Sequence, residues 1–201
     1  GASGDSNKIL EALLQHQFCG RALIPIVDAP AAAKAFRAGA GTVLAGLDIG
    51  GTLDPDRFPP LRLEQAVVRS LHDGTFTYEN GTSGFAGDVA VLRCNTESGG
   101  GVDLLVVSQS AYFVGQACFK AFGLVPADYD VVVVKSPNGF RPHYEAIAQQ
   151  IIPVDVPGST SANLLSLPYR NVRRPIFPLD RDAVSPQLEF EEEAALANAR
   201  L

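Results

Sequence analysis

Apolar residues recur at helical spacing at Ile9, Leu10, Leu13 and Leu14, behind the polar lead Ser3-Gly4-Asp5-Ser6. That pattern predicts a first helix, capped by Asp5 or Ser6 and stopped before Gly20. Arg21 to Val27 (RALIPIV) reads as a strand, with Pro25 placing it at an edge or marking a bulge. An Ala-rich helix follows over Ala31 to Ala38, behind Pro30 and ended by Gly39. Thr42 to Ile49 is a strand that runs into Gly50-Gly51. Leu61 to Leu71 and Thr75 to Tyr78 alternate, and Asp73-Gly74 between them is a hairpin signal.

Val89 to Arg93 and Val102 to Val107 are further strands, separated by the turn Glu97 to Gly101. A helix is expected over Phe113 to Phe122. Asp130 to Val134 (DVVVV) is the most hydrophobic strand, and its continuous β-branched run predicts burial on both faces at the centre of a sheet. A helix from Pro142 to Gln150 and a short strand from Ile151 to Val156 follow; Leu167 to Asp180, rich in Pro and Arg, reads as a surface wrap. The predicted fold is α/β: a mixed β-sheet with flanking helices, antiparallel hairpins in the first half and β-α-β units in the second. This domain spans 1–180, and 181–201 forms an acidic C-terminal tail with helical potential.

Composition narrows the functional classes. The 201 residues are 46% hydrophobic and 19% charged, an ordinary globular balance. No run approaches the roughly 18 apolar residues that a membrane span needs. Net charge is −6 with Lys and Arg scattered, so nucleic acid is not an expected partner. Cys19, Cys94 and Cys118 are odd in number and far apart, which argues against a disulfide framework and for a reducing compartment. The chain has no Met and opens on Gly1, which leads us to expect a fragment of a longer protein.

Three stretches are candidates for chemistry. Lys135-Ser136 through Phe140-Arg141 lies where the DVVVV strand exits, and α/β sheets bind ligands at the carboxyl ends of strands. Two cations beside a helix start suit a carboxylate or an oxyanion; the competing reading is a plain turn with Arg141 paired to a surface acid. Ser3-Gly4-Asp5-Ser6 reads either as an anion loop or as a helix cap. Asp48-Ile49-Gly50-Gly51-Thr52-Leu53-Asp54, with Asp56, carries enough acids to suggest calcium, but lacks the spacing and terminal Glu of an EF-hand, so a structural turn is favoured. The three histidines, His16, His72 and His143, have no metal-ligand spacing, and no metal site is expected within these residues.

Taken in order, several segments resemble the C-terminal domain of the MlrC-like (microcystinase C) metallopeptidase family. They are Gly1 to Ser6 before a Leu-rich helix; Gly50-Gly51-x-x-Asp54-Pro55 with Pro59-Pro60-Leu61 and Asp73-Gly74; Val133-Val134-Lys135-Ser136 with Phe140-Arg141; and Asp155-Val156-Pro157-Gly158, Leu167-Pro168-Tyr169-Arg170 and Arg173 to Asp180. Thr52 and Gly139 depart from the Lys and His that many members hold there. The resemblance implies the C-terminal domain of a zinc-dependent peptidase or amidase of bacterial cytoplasm. Its zinc ligands would lie in an N-terminal domain outside these residues. It further implies that Ser3, Gly4, Asp5, Ser6, Lys135, Ser136, Phe140 and Arg141 bind substrate or stabilise an oxyanion. The expected partners are that N-terminal domain, a peptide or amide substrate and, in one reading, a second subunit. The alternative is a non-catalytic binding or dimerisation module using Leu188, Phe190, Ala194 and Leu196 of the tail. A serine hydrolase built on Ser3 or Ser136 is a distant third, because G-x-S-x-G is absent.

Overall fold

The computed structural model describes residues 4–56, 58–136, 138–156 and 163–183. The chain divides into two compact units, Gly1–Ala162 and Asn163–Leu201. The second, where described, holds a 3-10 turn at Leu164–Ser166 and a loop in which the Asp180 carboxylate accepts from Arg174 and from the Ile176 N–H. From residue 184 the acidic tail lies outside the described residues.

The first unit runs α1 (Lys8–Gln15), β1 (Arg21–Val27), α2 (Ala29–Ala38), β2 (Val43–Ile49), β3 (Leu61–His72), β4 (Thr75–Thr77), β5 (Ser83–Phe85), β6 (Val89–Asn95), β7 (Gly101–Val107), α3 (Ala117–Ala121), β8 (Val131–Val132) and α4 (Arg141–Tyr144). Six strands form one mixed sheet in the order β2-β3-β6-β7-β1-β8. β7, β1 and β8 are parallel, and the remaining neighbours are antiparallel. This is the α/β class expected.

Alternation sorts the apolar residues onto two faces. Ile24, Ile26, Val102, Leu104, Val106 and Leu92 face α1 and α2, where Leu10, Ala31, Ala32 and Ala35 cover them. Leu23, Val91, Leu105 and Val107 face α3 and β4 through Phe119, Phe122 and Phe76. β7 is buried at every position, as a strand covered on both sides must be. At its start, Asp103 is 4% exposed and takes both Arg93 contacts at 2.6 and 2.7 Å and the Tyr129 hydroxyl at 2.7 Å. A buried carboxylate survives there because its oxygens are all engaged.

Several expectations need correction. DVVVV is not the central strand: only Val131 and Val132 pair, at the sheet's edge, and both are half-buried. Pro25 makes no bulge, since β1 keeps its register with β7 through Val27, but it does lie at a local edge: β8 pairs only Ala22 and Leu23, and the other side of Pro25 is unpaired. Its effect is on its neighbour. The Val133 N–H still reaches Leu23 O at 2.9 Å, but two residues on Pro25 has no N–H to offer, and β8 peels away. The first helix has Asn7, not Asp5 or Ser6, as its cap residue, and no side chain caps it. The helices expected over 113–122 and 142–150 shrink to α3 and α4, and 151–156 is not a strand. Gly115 and the turn around it displace the start of the first, and Tyr144 is the last residue of the second that is buried.

The Asp73-Gly74 hairpin also fails. β3 pairs with β6 through His72↔Val89, and β4 pairs with β5 through Thr75↔Phe85. The two ladders are one long hairpin bent in the middle, and its tip is Tyr78 to Thr82, closed by Gly81 N–H to Tyr78 O at 2.9 Å. Gly74 is the bend: its φ is +78°, and a Cβ there would lie 1.8 Å from Gly87 O. The bend lays β4 on the sheet face, where Phe76 is 5% exposed. Among the described residues, no helix is long and apolar enough to cross a membrane.

Gly74→Ala is therefore expected to cost about 2 kcal/mol or more, because positive φ and a backbone clash coincide. Asp73→Ala, at the exposed neighbour, should cost under about 1 kcal/mol. Urea unfolding of both variants checks the contrast; equal losses would mean that Gly74 is an ordinary turn position.

Candidate functional site

Two clusters gather where β1, β7 and β8 end. In the first, the chain before α1 is clasped from several sides. Lys135 Nζ donates to Gly4 O at 2.6 Å and to Ser6 O at 2.9 Å. Gly4 O also accepts from Val27 N–H, and Asp5 O from Gly51 N–H. Asp5 Oδ2 accepts from Leu53 N–H at 3.2 Å. Asn7 Nδ2 donates to Ile49 O at 2.9 Å and Pro59 O at 3.1 Å. Beside them Asp28 accepts from Ala31 N–H with Oδ1 and from Gly50 N–H with Oδ2, each at 2.8 Å.

This cluster is enclosed. Asp5, Asn7 and Asp28 are 3%, 3% and 2% exposed. Burial raises the Asp28 carboxyl above its ordinary range, against the pull of its two N–H donors. Burial also pushes the Lys135 ammonium down to about 7, opposed by the Asp5 carboxylate. The Lys135 residue as a whole keeps some surface, so it is the ammonium, held between two carbonyls of a buried segment, that is enclosed. Two of its three donors are taken by the protein itself.

The second cluster is a pocket of about 310 Å³ at the tip of the bent hairpin, lined by Tyr78 to Asn80 and Thr82, by Tyr112 to Gly115 in part, and by His143. Glu79 Oε1 accepts from Ala117 N–H at 2.8 Å and lies 3.8 Å from His143 Nδ1. Burial acts to raise the Glu79 pKa, but the backbone N–H groups at 116–117 and the nearby His143 outweigh it, and the carboxyl lies below its ordinary value. Tyr78 Oη accepts from Tyr112 N–H, and the Gln116 side-chain amide donates to His143 O.

The structure thus distributes the residues singled out in the sequence. It brings Gly4, Asp5 and Ser6 together with Lys135. Ser136 turns toward the pocket: a Cβ on Gly139 would lie 3.4 Å from Ser136 Oγ, 3.0 Å from Val114 and 3.7 Å from Tyr112 Oη. Phe140 packs against the Phe113–Phe119 core. Arg141 is exposed and pairs with Glu145 at 3.1 Å, the surface pairing that had been weighed against a binding role. Ser3 lies outside the described residues. Asp48 is on Arg62, and the Gly50-Gly51 stretch is a packed turn. His72 lies 2.9 Å from Ser70 Oγ and against the Phe122 ring. Burial pushes the Cys94 and Cys118 thiols up to about 12, so neither is a thiolate nucleophile.

Sequence reasoning missed Glu79 and Tyr112. The available signal was Asn80-Gly81, a stronger hairpin dipeptide than the one chosen, which puts Tyr78 and Glu79 on a turn.

Comparison with known proteins matches the family model described as MlrC C-terminus to residues 1–171. Microcystinase C of Sphingomonas sp is 27% identical over 181 residues, covering 90% of this chain and 33% of its own length. The crystal structure of a "Putative metallopeptidase" from Mesorhizobium sp. BNC1 superposes with a TM-score of 0.78 at 29% identity, covering 91% of this chain and 36% of that one. The chain thus spans about a third of each relative.

The clasp carries a pH signature. The folded chain releases the Lys135 proton near pH 7, whereas the unfolded chain holds it to about 10.4. Between those values the unfolded state binds more protons, so stability rises with pH across that window and is flat below it. The neutral amine still has two N–H groups for both carbonyls. Lys135→Met should erase this rise and cost about 1–3 kcal/mol through loss of the hydrogen bonds to the Gly4 and Ser6 carbonyls. Denaturant titrations of both proteins at pH 6, 8 and 9.5 check it; parallel curves would mean that the ammonium is not buried.

Proposed function

The chain belongs to the MlrC C-terminus family, and on that premise we propose that it is the C-terminal domain of a zinc-dependent peptidase or amidase. The observation that carries the reading is the continuous family match over residues 1–171, together with the two relatives named for microcystin cleavage and for metallopeptidase activity.

The metal belongs, in this reading, to an N-terminal domain. Among the described residues the donors do not suit zinc: His16, His72 and His143 lie in separate parts of the fold, and no group of three or more His, Cys, Asp or Glu is gathered. What the chain supplies is the loop from Lys135 to His143. Lys135 anchors its base to Gly4 and Ser6. Ser136 and Arg141 then face a substrate, with Arg141 gripping a carboxylate, while Phe140 anchors the segment to the Phe113–Phe119 core. Its present pair with Glu145 leaves both side chains about half exposed, and such a pair is worth under about 1 kcal/mol, so a substrate carboxylate displaces it at little cost.

In the full-length protein we expect about one zinc per chain, and peptide or amide hydrolysis that a chelator abolishes and zinc restores. Arg141→Ala should lower kcat/KM by about tenfold or more, with zinc content and thermal midpoint unchanged. Unchanged kcat/KM would remove Arg141 from the site. Hydrolysis indifferent to chelation would refute the metal. Absence of any hydrolysis would leave the non-catalytic module as the better account.

A further inference from the structure

The pocket at the hairpin tip is not used by the reading above, and its chemistry is specific. Among the residues that line it, Glu79 is the one fixed charge. Its carboxylate is held in place: Ala117 N–H donates to Oε1, and a Cβ on Gly115 would fall 2.1 Å from Oε1 and 2.3 Å from Oε2. The carboxylate therefore lies flat over the Gly115 Cα, a position open to it only because residue 115 is glycine. Its side chain remains 35% exposed, so the pocket opens onto an oriented anion rather than a mobile surface acid.

Phenols flank that anion. Tyr78 is fixed by the contact of its oxygen with Tyr112 N–H and by its edge-on packing, 4.7 Å between centroids, against buried Phe76. Tyr112 is 68% exposed, so the face of its ring is open to a ligand entering the pocket. A carboxylate beside aromatic faces is the arrangement that holds an organic cation, through a charge-assisted hydrogen bond and the ring quadrupole together. The same carboxylate disfavours an anion. The volume of about 310 Å³ accommodates one side chain rather than a folded partner.

We infer that the pocket formed by Glu79, Tyr78, Tyr112 and His143 is a binding site for a guanidinium or alkylammonium group, such as the basic side chain of a peptide. The ion settles against the Glu79 carboxylate with its alkyl stem along Tyr112. This site needs no turnover and no metal, so it stands or falls apart from the peptidase reading.

The test is direct binding to the full-length protein by calorimetry. Nα-acetyl-arginine amide and Nα-acetyl-lysine amide should bind saturably, and the neutral isostere Nα-acetyl-citrulline amide about tenfold more weakly or worse. Glu79→Gln should reduce binding of the cations by about tenfold. Because Glu79 also receives the Ala117 N–H, a second variant guards against misfolding: Tyr112→Ala alters an exposed ring and should weaken binding about fivefold with the thermal midpoint unchanged. Citrulline binding as well as arginine, no binding of either cation, or parental affinity in a folded Glu79→Gln or Tyr112→Ala variant would each overturn the inference. None of these outcomes bears on hydrolysis.

Discussion

One buried carboxylate holds together the end of the sheet where β1 gives way to α2. Asp28 closes β1, starts α2 through Ala31 N–H, and receives Gly50 N–H from the end of β2. β2 is antiparallel to β3, and its last residue pairs with Leu61, six positions before the point where β3 first meets β6. In a flat sheet that end would lie far from Asp28. The β2–β3 ribbon instead curls over the α1 and α2 face, and the Asp28–Gly50 bond marks where it returns. A carboxylate 2% exposed is tolerated because each oxygen accepts a backbone donor that would otherwise be buried without a partner. The stretch from Gly4 to Asn7 is threaded through the gap so closed, and Lys135 seals it from the side of β8.

How much of this was legible in the sequence follows from the range of each interaction. β1, α2, β2, β6 and β7 were legible to within a residue or two, because their signals are local: alternation, a proline after an aspartate, a glycine stop. The DVVVV strand was misplaced because a hydrophobic run reports burial but not position in a sheet, and what cut it short is a proline more than a hundred residues earlier. The bent hairpin was misread because two turn dipeptides compete along it. Asp73-Gly74 marks a bend whose cause, the approach of Gly87, is tertiary; Asn80-Gly81 marks the tip.

The candidate site divides in the same way. Lys135 and the Gly4–Ser6 lead were each singled out in the sequence, and the structure joins them by hydrogen bonds while leaving Arg141 on Glu145. Their sense differs from what an anion loop would offer. The lead presents carbonyl oxygens to a cation, so it is already complemented from within. Nothing in the residue string indicates which way a backbone faces. The pocket at Glu79 was invisible because its members come from a hairpin tip, a turn after β7 and a four-residue helix, with no shared spacing.

Two arginine–carboxylate pairs of this chain differ in how far water can reach them. Arg93 and Asp103 are joined by two contacts, with side-chain exposures of 20% and 5%, and Tyr129 completes the set. Breaking that pair leaves a charge in a poorly solvated place, so it serves to lock β6 against β7 and nothing else can engage it. Arg141 and Glu145 meet once, at exposures of 52% and 55%. Water competes for both groups, and either can turn to another partner. Arg141 opens α4 and faces solvent, whereas Lys135 is bonded to the Gly4 and Ser6 carbonyls. The first pair is fixed by burial and the second is open to exchange, so of the two arginines only Arg141 can take a new partner without leaving a buried charge behind.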